Sequence, residues 1–384
     1  MKFEFATATR IVFGAGTAGQ AGEIVKGFGR RGLLVTGATP GRAEKLRANL
    51  AANGISAVAF SVQGEPELGT IESGAALAKA EHCEFVIGWG GGSVIDAGKA
   101  IAAMMTNEGA LLDYVEIIGR GQALKQEPAP FLAMPTTAGT GSEVTRNAVL
   151  ASPAHRLKVS LRSPLMLPRV ALVDPELTAD LPPALTASTG LDALTQLIEP
   201  YVCLRANPLT DGFCVDGLQR AARSLREAVF NGHNKSARED MAIASLFGGL
   251  ALANAGLGAV HGLAGPIGGM FPAPHGAVCA ALLPHVMAAN LRALRERELQ
   301  SYALSRYFRV ATWLTGKSHV SADAGVEWVQ KLVADLPIPR LGAYGIREEH
   351  VADLVAKAAQ ASSMKANPIA LTPDELAQAL RQAL

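Results

Sequence analysis

Formal charge is missing from one long stretch of this 384-residue chain: Met241 to Leu291 holds no Asp, Glu, Lys or Arg. A bilayer span would need about 20 mostly apolar residues in one piece. Here four prolines, several glycines, Asn254, Asn290 and three histidines (His261, His275 and His285) interrupt the run. Buried helices around a polar site are expected instead, in a soluble and cytoplasmic protein. Cysteine is scarce too. Cys83, Cys203, Cys214 and Cys279 form no CxxC pair, which excludes a zinc knuckle or a disulfide framework and fits a reducing compartment. Net charge is close to absent at +1, so neither nucleic acid nor an anionic membrane is an expected partner. The N-terminal Met1-Lys2-Phe3-Glu4-Phe5 lacks the apolar core of a secretory signal.

What is present is enough for a large core, with 49% apolar and 18% charged residues. The length suggests two domains. Short apolar runs at Leu33–Thr36, Ala57–Ser61, Phe85–Gly88, Phe131–Met134 and Val170–Val173 alternate with helically spaced segments. That rhythm predicts a parallel sheet covered on both faces, a Rossmann-like α/β dinucleotide-binding domain. Lys2–Phe5 and Arg10–Phe13 read as two further strands, Thr17 to Gly29 as a helix, and Asn147–Ala151 with Lys158–Leu161 as a hairpin. Beyond Leu181-Pro182-Pro183 only helical spacing remains, and Thr372-Pro373-Asp374-Glu375 is a capping box opening the last helix. The expected organisation is therefore an α/β domain over residues 1–180 and an all-helical metal and substrate domain over 181–384, with ligands in a cleft between them.

Phe85 to Lys99 organises the first half. A buried strand meets Gly90-Gly91-Gly92, and Ser93 then reads as the N-cap of a helix. Glycines at such a turn let backbone approach an anion, which the helix N-terminus favours. The stretch spells neither a Walker A loop nor GxGxxG, so a pyrophosphate cradle and a plain packing turn are equally open from these residues alone. A second small-residue segment, Pro135 to Thr145, leaves the next strand at the same sheet edge, and its hydroxyls can bond phosphate or ribose. In the helical half, Asp192 and Gln196 stand four apart, on one face of a helix. His261 and His275 flank a bend marked by Pro266, Pro272 and Pro274. One carboxylate and two imidazoles suit Fe²⁺ or Zn²⁺ with a position left for an oxygen substrate.

With these motifs in hand the chain resembles the iron-containing (group III) alcohol dehydrogenases. The likeness rests on GGGSVIDAGKA at 90–100, PTTAGTGSEVT at 135–145, VDPEL at 173–177, TGLDAL at 189–194, VHGLAGPIGGMFPAPHG at 260–276 and Asn367-Pro368. The resemblance implies NAD- or NADP-dependent interconversion of small alcohols with aldehydes or ketones, one divalent metal per chain, and a homodimer or larger assembly. It implies that Asp192, His261 and His275 serve the metal and the catalysis. Two departures stand out. Gln196 occupies the place of a ligand histidine, as a neutral and weaker donor, and Gly265 occupies the place of a histidine near the substrate. The implied cofactor contacts are Gly90, Gly91, Gly92 and Ser93 for the pyrophosphate, with Asp96, Thr136, Thr137, Thr140, Ser142, Thr145 and Lys158 around ribose and nicotinamide. Where NAD-users often end the second strand in Asp, this chain has Gly37, with Thr39 and Arg42 just downstream. That gap predicts tolerance of a 2′-phosphate. Two alternatives remain open at this point: a metal-independent reductase of an unsaturated oxo acid, related to the maleylacetate reductases, and a nucleotide-binding protein without activity.

Overall fold

The computed structural model describes residues 2–384 and forms two compact units. One comprises Ala6–Thr137 with Gly141–Thr178. The other takes Ala179–Leu384 together with Ala138–Thr140 and the leading segment ending at Phe5.

The first unit is built on strands β1 (Arg10–Phe13), β2 (Arg31–Thr36), β3 (Ser56–Ser61), β4 (Phe85–Gly90) and β5 (Phe131–Pro135). The hairpin β6 (Asn147–Ser152) and β7 (Leu157–Arg162) and the strand β8 (Val170–Val173) complete the set. Six of these strands pair, all in parallel, in the order β1-β8-β5-β4-β2-β3, and β6 with β7 forms a separate antiparallel ribbon. Between them run helices α1 (Ala21–Val25), α2 (Glu44–Ala52), α3 (Leu68–Ala80) and α4 (Gly92–Thr106). β2 and β4 are wholly buried apart from the first residue of β2, so they read as continuous apolar runs, as strands covered on both faces do. Their side chains alternate between two cores. Leu33, Val35 and Val86 pack with α3 and α4, while Leu34, Ile87 and Trp89 pack with residues of α1 and α2.

From β3 the chain crosses back over β2 to β4 and continues outward to β5 and β8. The strand order therefore reverses between β2 and β4, and ligands bind at the carboxyl ends of strands at such a switch.

The second unit is helical: α5 (Pro183–Val202), α6 (Pro208–Phe230), α7 (Lys235–Asn254), α8 (Ala259–Met270), α9 (His275–Arg297), α10 (Tyr302–Thr315), α11 (Ala322–Asp335), α12 (Val351–Ala359) and α13 (Pro373–Ala383). The charge-free stretch forms most of α7, then α8 and α9 as far as Leu291. By length and composition α9 passes for a membrane span, yet 83% of its apolar window is buried inside the protein. The capping box of α13 is present: Glu375 N–H donates to Thr372 Oγ1 and Thr372 N–H to the Glu375 carboxylate.

Three local expectations change. Lys2–Phe5 forms no strand; the Phe5 ring stacks instead on Phe213 of α6, 5.8 Å between centroids. The helix expected over Thr17–Gly29 is a 3-10 turn followed by the short α1, closed off ahead of Gly27 and Gly29. Finally, α4 starts one residue early, with Gly91 as its N-cap, so Ser93 lies within the first turn and makes no capping bond. Gly91 carbonyl accepts from both Val94 and Ile95, which closes that turn without a side chain.

Candidate metal and dinucleotide sites

Asp192 and Gln196 lie in the buried middle of α5, 1% and 3% exposed. Asp192 Oδ1 and Gln196 Oε1 are two of only three buried side-chain polar atoms without a hydrogen-bond partner among the described residues. A buried polar atom left unpaired costs about 1–3 kcal/mol, so two on one helix face indicate that something absent satisfies them. His261 on α8 and His275, the first residue of α9, approach the same carboxylate. Their Nε2 atoms lie 3.5 and 3.8 Å from Asp192 Oδ1. Cys279, one turn after His275, completes a group whose donor atoms all lie within 4.8 Å of one another.

Two close backbone approaches build this geometry. A Cβ on Gly276 would stand 2.3 Å from the Ser188 carbonyl oxygen, so only glycine lets the first turn of α9 lie against α5 beside Asp192. A Cβ on Gly258 would stand 2.8 Å from Glu199 Oε1, so glycine opens the N-terminus of α8 to that carboxylate. Glu199 uses the opening twice. Its Oε1 accepts from Val260 N–H at 2.8 Å and its Oε2 from His261 Nδ1 at 2.6 Å. In this bond Nδ1 donates to the carboxylate and Nε2 is left to face the cluster, where a metal ion would take the place of its proton, the arrangement found behind metal-bound histidines. Asn367 supports the same helix end through Ala259 N–H and is itself tied to Asn290.

The electrostatics agree that the cluster attracts positive charge. Burial would raise the Asp192 carboxyl, but His275 and His261 outweigh it and hold it below the usual carboxylate range. Burial would lower His261, but Cys279, Glu199 and Asp192 together push it well above an ordinary imidazole. His275 is raised chiefly by Cys279. Buried oxygens without partners, an imidazole oriented by a carboxylate, and convergent N, O and S donors fit a divalent metal. The His275 side chain, 31% exposed against 7% for His261, marks the open side of the group.

In the other unit, Gly90–Ser93 sit where β4 enters α4, and Gly37 follows Thr36 at the end of β2. Thr36 is paired with Trp89, and Gly90 with Pro135, so Gly37, Gly90–Ser93, Thr136 and Thr137 gather at the sheet end where the strand order switches. Thr39 is the residue before a 3-10 turn just beyond. A Cβ on Gly91 would press on Thr137 at 3.3 Å, whereas one on Gly90 would clash with Val94 at 2.5 Å, so Gly90 also serves internal packing.

The remaining expected cofactor residues are engaged within the protein. Lys99 is fully buried and donates to the Ser142 carbonyl at 3.0 Å and to Thr145 Oγ1 at 2.9 Å; it pairs with Asp96 at 3.0 Å. Asp96 in turn accepts from the Ser142 hydroxyl and from Val149 N–H. Asp96, Ser142 and Thr145 thus form one network that shapes the loop after β5. Lys158, on β7, pairs with Glu65 at 2.9 Å. Thr140 belongs to the short segment that counts with the helical unit.

Glu199 and Cys279 were not singled out by motif reasoning. Glu199 carries a readable signal, since Asp192, Gln196 and Glu199 follow helical spacing along one face. Conversely, Gly14-Ala15-Gly16-Thr17-Ala18-Gly19 spells GxGxxG after β1. It lies on an edge strand far from the switch, and Ala18 N–H already donates to Asp174 Oδ2, where a phosphate would otherwise bind.

Comparison with known proteins agrees with this architecture. Residues 8–175 match the family model for iron-containing alcohol dehydrogenase, and residues 186–384 the model for the C-terminal part of the same family. The 1,3-propanediol dehydrogenase of Citrobacter freundii is 35% identical, with 99% of this chain and 98% of that protein covered. A crystal structure of 1,3-propanediol oxidoreductase superposes with a TM-score of 0.93 at 34% identity over the whole of both chains. The sulfoacetaldehyde reductase of Bifidobacterium kashiwanohense, solved in complex with NAD+, does so with 0.87 at 30% identity, covering 99% of this chain and 98% of that one. The chain belongs to the iron-containing alcohol dehydrogenase family. It is an oxidoreductase that uses a nicotinamide dinucleotide and a divalent metal on small alcohols and carbonyl compounds.

Proposed function

We propose that Asp192, His261 and His275 hold the divalent ion, with Gln196 Oε1 beside it, and that the Gly90–Ser93 turn holds the pyrophosphate of NAD or NADP. The carrying observation is the pair of buried, unpartnered oxygens on α5 facing two histidines. When bound, the ion supplies Lewis acidity toward the substrate oxygen, and the nicotinamide gives or takes the hydride.

The chain's own residues position these groups. Glu199 fixes the His261 ring and tautomer. Backbone amides of the first turn of α4, with the helix dipole behind them, favour the pyrophosphate. Lys99, through Asp96, Ser142 and Thr145, sets the loop bearing Thr136, Thr137 and Thr140, which suits ribose and nicotinamide. Gly265 lies one turn beyond His261 on α8, and a Cβ there would meet nothing within 4 Å. That open space accommodates substrate rather than a proton-transferring side chain. The propanediol dehydrogenase relatives support short primary alcohols and the matching aldehydes as substrates. Acceptance of NADP is supported by Gly37, and a cytoplasmic location by four free cysteines.

A panel of short alcohols, assayed with NAD and NADP before and after chelation, tests this reading. Alcohol-dependent reduction of the cofactor should disappear on chelation and return with a divalent ion. Turnover that survives complete metal removal would refute the metal assignment, and no turnover with any alcohol would refute the substrate class.

A further inference from the structure

We propose that Cys279 is a metal ligand, completing an Asp192–His261–His275–Cys279 donor set that prefers zinc to iron. The proposal rests on the metal reading above and departs from it in moving the fourth donor from Gln196 on α5 to a thiolate on α9.

Cys279 is fully buried, but it does not face an apolar wall. Its Sγ lies 3.8 Å from His261 Nε2 and 3.7 Å from His275 Nε2, the two nitrogen atoms that already face Asp192. Zinc bonds of about 2.0–2.1 Å to nitrogen and oxygen and 2.3 Å to sulfur place neighbouring donors of a four-ligand set roughly 3.3–3.8 Å apart, and expansion of zinc to five-coordination on the open side at His275 leaves a position for the substrate oxygen. Four of the six separations, 3.5, 3.8, 3.8 and 3.7 Å, fall on that scale, and the other two are within 4.8 Å. The two helices contribute in the same way: Asp192 and Gln196 stand four apart on α5, and His275 and Cys279 four apart on α9. On α5 the second member is a neutral amide, and on α9 it is a potential thiolate. A soft, anionic sulfur in place of an amide oxygen shifts an N/O site toward zinc.

Cobalt(II) gives a test independent of turnover. Metal-free protein titrated with cobalt under anaerobic conditions should bind one equivalent and develop a strong thiolate-to-cobalt charge-transfer band in the near ultraviolet. Cys279→Ser should still bind cobalt but lose that band. Its zinc affinity in chelator competition should fall at least roughly tenfold, since even residues that only orient ligands cost that much. The zinc-over-iron affinity ratio should fall as well. Stoichiometric cobalt with visible ligand-field bands but no charge-transfer band in the wild type would overturn the thiolate and leave the rest of the metal site standing. A band that persists in Cys279→Ser would assign it to another cysteine and equally overturn the proposal. Absence of any stoichiometric cobalt or zinc binding would overturn the metal reading itself. The wild-type spectrum decides the question even if the variant fails to fold.

Discussion

Gly37→Asp should shift the balance between NADP and NAD toward NAD. Gly37 follows β2 beside the strand-order switch and has no left-handed backbone conformation. A Cβ there would have Val94 Cγ2, at 3.9 Å, as its nearest neighbour. The substitution therefore adds neither backbone strain nor a clash, and its effect is electrostatic. Two unit charges about 4 Å apart repel by roughly 1 kcal/mol in water and roughly 4 kcal/mol at the effective dielectric of a partly buried site. A phosphate monoester carries nearly two charges. The same carboxylate also offers an acceptor to a ribose 2′-hydroxyl. The ratio of kcat/KM for NADP over NAD should fall at least about tenfold, equivalent to roughly 1.4 kcal/mol. Arg42, whose guanidinium lies 5.9 Å above the Trp89 ring at this end of the sheet, offers an independent perturbation. Arg42→Ala should lower the same ratio. The measurement is initial rates with both cofactors at one saturating alcohol, with Tm confirming that the variants are folded. A wild type strongly selective for NAD, together with an unchanged ratio in Gly37→Asp, would show that Gly37 does not face the 2′ position.

Three further outcomes follow from the geometry. Asp192→Asn should abolish metal retention and turnover while leaving dinucleotide affinity by fluorescence titration largely intact; loss of cofactor binding with metal retained would contradict the assignment. Glu199→Gln keeps the shape but weakens the support of His261 Nδ1, so metal affinity in chelator competition should drop about 10- to 100-fold. Glu143 is buried, and burial outweighs its backbone bond and Lys99 to push its carboxyl up to about 7. The folded state then holds a proton that the unfolded state has released, so stability falls as pH rises from about 4.5 to about 7. Glu143→Gln should raise Tm at pH 8, leave it nearly unchanged near pH 4, and flatten the profile between.

The sheet is readable because buried parallel strands are largely apolar runs, as in β4, β5, β8 and the Leu33–Val35 centre of β2. The helical half was readable from its loss of period-two runs. His261 and His275 stand out because polar residues in a charge-free stretch need partners, and Asp192 because it shares a helix face with Gln196. What spacing cannot convey is which face of one helix meets which face of another. Cys279 shares a face with His275, but its importance depends on His261, on a different helix. Glu199 reaches His261 across 62 positions of sequence. The hydroxyl-rich loop has internal roles that composition does not convey: Ser142 and Thr145 bond Asp96 and Lys99. Ser93 missed its capping role because a glycine carbonyl closed the turn first.

The interleaving of the two units has a consequence for how the chain is made. Gly139 rests so close to Thr189 that a Cβ would lie 2.7 Å from the Thr189 Cβ, and Phe5 stacks on Phe213. During synthesis the sheet strands leave the ribosome first, but the tip at Ala138–Thr140 must wait for α5 and the leading segment for α6. Nascent chains commonly settle from the N-terminus, one contiguous piece after another. Here two early pieces remain unplaced until late ones arrive, so completion of the hydroxyl-rich loop is tied to emergence of the helix that carries Asp192. A ribosome stalled before residue 189 would carry a sheet with its hydroxyl loop still loose, and neither half expressed alone would contain all of its own parts.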